Sequence, residues 1–175
     1  EVLAGDAGHG FDFDVIGDIC KSIKRISDQG VEVGIVIGGG NFWRGRSSGN
    51  MDRVRADSIG MLGTVMNSIA VADTLIGMGV QAKVYSAIAM EPIAKRFNAH
   101  EARHELSKGK VTIFGGGTGS PFFSTDTTAA LRAAETEAEV IFKATNVDGV
   151  YDKDPNKYDD AVKFDTLTQT DLLNK

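Results

Sequence analysis

Between Asp14 and Ile26 the apolar residues Val15, Ile16, Ile19, Cys20, Ile23 and Ile26 return every three or four positions, and Gly30 closes the pattern. That spacing predicts one buried face of a helix. The run 31–37 is short, rich in β-branched residues and stops at three glycines, as a buried strand does. Met61, Leu62, Val65, Met66, Ile69, Leu75 and Ile76 mark a second, longer helix that Gly77 and Gly79 end. Beyond it the pattern predicts a strand over 80–85, a polar helix over 91–107, a strand over 111–114, a helix over 127–137 and a strand over 140–142. Parallel neighbours need helical crossovers, so this alternation predicts an α/β fold: a three-layer αβα sandwich with a mainly parallel sheet. With no repeat, low-complexity tract or linker, residues 1–175 read as a single domain.

Composition narrows the chemistry. With 175 residues, 42% of them hydrophobic, the chain can bury one substantial core. A net charge of −5 argues against nucleic-acid binding, which needs a basic face, so an anionic ligand must be held locally. The single cysteine, Cys20, excludes an internal disulfide and a Cys-based zinc site. No apolar run approaches the roughly 20 residues of a membrane span, and no signal peptide is evident, so a cytoplasmic protein without membrane attachment is expected.

In open parallel sheets ligands sit beyond the carboxyl ends of the strands. Three strands here run into unusual sequence: Gly38-Gly39-Gly40-Asn41-Phe42-Trp43-Arg44-Gly45, Gly115-Gly116-Gly117-Thr118-Gly119-Ser120-Pro121 and Lys143-Ala144-Thr145-Asn146-Val147-Asp148-Gly149. Glycine lets backbone N–H groups approach an anion, and a following helix N-terminus adds partial positive charge. Two such loops suggest two phosphorylated ligands or one long phosphate chain, with Arg44 adding a forked contact; for either loop alone, a tight turn is an equal alternative. Neither is a Walker A loop, which excludes a P-loop kinase.

The segment 33–45, the stretch from Met51 to Asn67, the loop 117–126 and the segment 143–154 together resemble bacterial UMP kinases of the amino-acid-kinase superfamily in order and spacing. The resemblance runs over essentially the whole chain. Asp57 and the Thr-Gly-Ser-Pro-Phe-Phe-Ser-Thr loop point to the uridylate branch rather than to acetylglutamate, glutamate or aspartate kinases. It implies transfer of the terminal phosphoryl group of ATP to UMP, with Mg²⁺ accompanying ATP. The family's UMP contacts fall on Gly39, Asp57, Thr118, Gly119, Ser120, Pro121, Phe122, Phe123, Ser124 and Thr125. Its ATP contacts fall on Gly40, Arg44, Thr145, Asn146, Tyr151 and Asp154, with Tyr151 packing on adenine. Asp126 resembles the superfamily's acidic organiser of catalytic lysines, and Arg44 joins it as a catalytic candidate. Plainer roles compete: a helix cap for Asp57 or Asp126, a loop aromatic for Tyr151, a turn residue for Asp154 and core filling for Phe122 or Phe123.

The family's opening strand, with its Lys-x-Ser-Gly lysine, is expected to precede residue 1, and a further helix and strands to follow residue 175. These residues by themselves are therefore expected to be a poor catalyst. The segment Gly5, Asp6, Ala7, Gly8, His9, Gly10 aligns with a stretch linked in the family to activation by GTP. UTP inhibition and a homohexamer are further family expectations. A nucleotide-binding regulatory module remains an alternative to an enzyme. One motif points elsewhere: His100-Glu101-Ala102-Arg103-His104 matches the zinc-protease pattern H-E-x-x-H. Its polar flanks are those of a solvated helix, and no metal site is expected.

Overall fold

The computed structural model describes residues 2–44, 49–145, 147–168 and 170–171. They fall into two compact units, Glu1–Ile141 and Phe142–Lys175. In the first, a 3-10 turn over Val2–Ala7 precedes α1 (Phe13–Ser27), β1 (Gly34–Val36), α2 (Arg53–Gly77), β2 (Ala82–Ser86), β3 (Lys95–Arg96), α3 (Ala99–Ser107), β4 (Val111–Gly115) and α4 (Thr125–Thr136). The second contains an antiparallel ribbon of β5 (Val150–Tyr151) and β6 (Lys163–Phe164).

The four strands of the first unit lie in the order β1-β4-β2-β3, all parallel. Every residue of the central β4 is buried, and its alternation explains the layers. Val111 and Ile113 face a cluster with Ile16 and Cys20 of α1 and Val71 and Leu75 of α2. Phe114 faces the other way, towards Tyr85 and Ala102 of α3. Strands buried on both faces read as continuous apolar runs, which is why β4 was legible. Truncating Ile113 to alanine would remove packing on one face at a cost of about 2–5 kcal/mol.

Short polar side chains set the helix starts. Asp12 accepts from the amides of Asp14 and Val15, Asp52 from Arg55, Asn98 from Glu101 and Ser124 from Thr127. These caps account for most differences from the periodic pattern. α2 begins at Arg53, about two turns before Met61, where the apolar spacing predicts its start, because Asp52 caps it there. The polar stretch 91–107 is helical only from Ala99, after the Asn98 cap, while Lys95 and Arg96 pair with Tyr85 and Ser86. The strand expected over 140–142 is coil, with Val140, Ile141 and Phe142 exposed. β-branched composition gives a strand only where a neighbouring strand supplies the ladder.

α2 also corrects the expectation about apolar length. It has 25 residues and a window of mean hydropathy 1.5, enough by length and composition to cross a membrane. Its inner side packs on β2 and β4, burying Val65, Val71 and Leu75 beside the polar Thr64, Asn67 and Ser68. Its outer side exposes Leu62, Met66, Ile69 and Ile76.

Candidate active site

Because β1 and β4 are parallel neighbours, paired from Gly34 with Thr112 to Val36 with Phe114, their carboxyl ends coincide. The loops at 38–40 and 116–119 therefore leave the sheet side by side. Glycine is required at specific points. A Cβ on Gly39 would stand 2.6 Å from the Gly60 carbonyl oxygen and 3.0 Å from the Thr64 amide nitrogen, so this loop lies directly on the α2 backbone. Gly116 has φ +76°, and a Cβ there would meet Ser86 Oγ at 2.9 Å.

α2 holds both loops. Gly116 N–H donates to Thr64 Oγ1 at 2.7 Å, and Asn67 Nδ2 donates to the Gly38 carbonyl at 2.6 Å. Between them opens a cavity of about 190 Å³, walled by Gly39, Gly40, Trp43, Asp57, Gly60, Met61, Thr64, Gly117, Ser120, Phe123, Ser124, Thr125 and Thr128. Ser124 caps α4 at its edge, so the helix N-terminus, with its partial positive charge, meets this cavity.

Asp57 stands in the second turn of α2 and is not a cap, a role that falls to Asp52. One carboxylate oxygen accepts from Arg53 Nε at 2.9 Å and the other from the Phe122 amide at 2.8 Å, tying the 118–125 loop to α2. Phe122 takes φ 72°, in the left-handed region where a bulky residue is strained, with the Arg53 guanidinium 5.7 Å from its ring centroid. Neither phenylalanine fills the core: Phe122 is 65% and Phe123 60% exposed, and Phe123 lines the cavity. The loop folds on itself through Ser120 N–H to Thr118 Oγ1 and Gly119 N–H to the Gly116 carbonyl, with Pro121 between Ser120 and the Asp57-bound Phe122. Asp126 is not the α4 cap, since Ser124 is. Arg44 and Asp126 follow the wall residues Trp43 and Thr125 and do not line the cavity.

The segment 5–10 packs against the first loop. Gly10 N–H donates to the Asn41 carbonyl at 3.0 Å, and the His9 and Phe42 rings meet edge to face at 5.9 Å.

Thr145, Tyr151 and Asp154 belong to the second unit, and Asn146 lies outside the described residues. Thr145 is exposed and its hydroxyl donates to the Val147 carbonyl. The Tyr151 hydroxyl donates to Asp148, whose other oxygen accepts from Lys163 Nζ at 2.8 Å. Lys163 and then Tyr151 hold the Asp148 carboxyl down to about 2, while hydrogen bonding to Asp148 raises the Tyr151 phenol. Asp154 does shape a turn, accepting from the Asn156 amide at 3.0 Å.

On α3, Glu101 is not poised to activate water. Lys83, Lys95 and Tyr85 all donate to it, and hydrogen bonds from Lys95 and then Lys83 hold its carboxyl at about 2.

Sequence reasoning missed Arg53, Trp43, Met61, Thr64, Asn67, Thr128, Asp148 and Lys163 as parts of these arrangements. One signal was available: Gly60, Thr64, Asn67 and Ser68 recur at helical spacing as a small and polar stripe within an apolar helix.

The amino acid kinase family model matches residues 1–175. The chain belongs to the amino acid kinase family. Among solved members, UMP kinase from Bacillus anthracis superposes with a TM-score of 0.93 at 36% identity, over 99% of this chain and 72% of that one. UMP kinase from Ureaplasma parvum gives 0.92 at 38% identity, over 99% and 74%. An isopentenyl phosphate kinase product complex from T. acidophilum gives 0.64 at 23% identity, over 92% and 73%, and shows the shared fold alone. The parallel sheet with flanking helices, which the sequence pattern predicts, is thus the amino acid kinase fold that the resemblance implies.

Proposed function

We propose that this amino acid kinase moves the terminal phosphoryl group of ATP to the phosphate of UMP, giving ADP and UDP. The observation that carries the reading is the pair of glycine loops meeting over α2, with Asp57 bound to the 118–125 loop, in a chain 36–38% identical to UMP kinases. The UMP phosphate is an anionic nucleophile, so no side chain has to remove a proton. Rate comes from alignment and from neutralising charge on the transferred group.

Glycine backbone and the α4 N-terminus at residues 117–125 hold the acceptor phosphate. Asp57, fixed by Arg53 and the Phe122 amide, accepts from ribose hydroxyls, while Thr118, Gly119, Ser120, Pro121 and Phe123 read the base. Gly40 and Arg44 face the ATP phosphates, and Asp126 organises the catalytic lysines. Thr145, Asn146, Tyr151 and Asp154 serve the adenosine side, where Asp148 and Lys163 fix the Tyr151 hydroxyl. Among the described residues no three His, Cys, Asp or Glu side chains converge as a metal site. Mg²⁺ would accompany ATP, held mainly by phosphate oxygens and water, and would supply charge neutralisation there.

The 5–10 segment, in contact with Asn41 and Phe42, would pass the effect of a GTP activator to the first loop, and inhibition by UTP is carried over from the family resemblance alone. The exposed apolar side of α2 supports self-association, for which the family resemblance implies a homohexamer, and the buried Cys20 suits a cytoplasmic setting. A coupled ADP-release assay of the full-length protein tests the main reading. ATP-dependent turnover with UMP, and none with acetylglutamate, glutamate or aspartate, is expected; turnover with an amino acid and not UMP would sink it.

A further inference from the structure

Buried amides that face one another carry a cost that packing alone would avoid. Asn67 on α2 is fully buried and Asn41, after the first glycine loop, is 1% exposed. Their side chains bond reciprocally: Asn41 Nδ2 donates to Asn67 Oδ1 at 2.9 Å, and Asn67 Nδ2 to Asn41 Oδ1 at 2.6 Å. Each amide also donates to a backbone carbonyl, Asn67 to Gly38 at 2.6 Å and Asn41 to Gly10 at 2.8 Å. All four N–H groups are thereby used, and the two backbone acceptors fix which end of each amide carries nitrogen. An apolar pair of similar volume would fill this space without desolvating two amides. What it could not do is hold Gly38 and Gly10 at set distances from α2.

We infer that the Asn41–Asn67 pair positions the acceptor site, locking the first glycine loop and the 5–10 segment to α2 as one body. Gly38 directly precedes Gly39, whose backbone already lies against Gly60 and Thr64, so release of the Gly38 carbonyl displaces the cavity wall. Asn41 and Asn67 touch no reacting atom; they act through Gly38 and Gly10. This inference rests on the UMP kinase reading for its kinetic test but has a structural readout that does not.

The experiment compares the full chain with Asn41→Leu, Asn67→Leu and the double variant, at a temperature where circular dichroism shows every variant folded. Each single change leaves one amide buried without its partner and lowers Tm; the double change recovers part of that loss. In the double variant the UMP KM is expected to rise roughly tenfold or more, with a smaller rise for ATP, whose phosphates Gly40 and Arg44 of the same loop face. Hydrogen exchange at the amides of Gly10, Phe42 and Trp43, which bond within these two segments, is expected to quicken. A double variant with wild-type UMP KM and wild-type exchange would overturn the inference, as would equal rises in both KM values. If the full-length wild-type protein makes no UDP, the functional reading fails, and the exchange rates alone decide whether the pair locks the two segments.

Discussion

The two ends of the same parallel strands differ in a way that size alone would misjudge. At the amino end of β2 and β4 lies a recess of about 370 Å³ walled by Ile76, Gly79, Val80, Gln81, Ala82, Lys83 and Lys110. At the carboxyl end, the cavity between the glycine loops measures about 190 Å³. The larger space holds two lysines, yet both are engaged: Lys83 with Glu101 at 2.9 Å, and Lys110 with Glu105 at 2.5 Å. Its charges cancel within the protein. The smaller one is bounded by bare backbone and a helix N-terminus, which favour an external anion. On the proposed reading, concavity does not mark the site; backbone made approachable by glycine does.

The sharpest way to break this contrast is Gly39→Ala. The new Cβ would meet backbone of α2, which cannot swing aside as a side chain would, so kcat/KM for UMP is expected to fall about a hundredfold. Steady-state kinetics with near-normal activity would show that this loop need not lie on α2. Asp57→Ala comes next. Losing both the ribose acceptor and the Phe122 anchor should raise the UMP KM more than about tenfold with a smaller change for ATP; equal changes would remove the ribose role. Asp126→Asn should lower kcat by about tenfold with little effect on either KM, and unchanged turnover would leave Asp126 as a first-turn helix residue only.

The smallest effect on activity belongs to the opposite end. Glu101→Gln should leave the UMP KM unchanged while lowering Tm by roughly 5 °C in a thermal melt, because two lysines lose their shared carboxylate. The pH dependence has a definite sign. The folded-state pKa of Glu101 is depressed from 4.5 to about 2, so its contribution is complete above pH 4.5 and fades as pH falls towards 2. Acid titration of Glu101→Gln should lack that part of the wild-type loss. If the variant instead lost UMP affinity, the two ends would be coupled, contrary to the comparison.

How much could be read beforehand follows the same division. β4 and the helices at 13–27 and 53–77 were legible because burial on a face imposes periodicity on sequence. The glycine loops were legible because two such clusters follow two strands of one parallel sheet, and the place of Asp57 beside them because of the family resemblance. What escaped depends on contacts between distant residues. The Asn41–Asn67 pair spans 26 positions and the Asp57 bond to Phe122 spans 65, and no local pattern announces either. The strand expected over 140–142 failed for a related reason: its composition was right, but a strand also needs a ladder partner. Core filling competed with a ligand role for one of the two phenylalanines of the 118–125 loop, yet both are exposed and Phe122 takes a left-handed backbone.

The most direct test of the account is an NMR titration of the assigned full chain with UMP. The amides of Gly39, Gly40, Gly117, Thr118 and Ser120 are expected to shift together and fit one Kd, while those of Gly79 and Gln81 stay in place. Shifts in only one loop, two unrelated Kd values, or movement centred on Gly79 and Gln81 would contradict a shared acceptor site at the carboxyl rim.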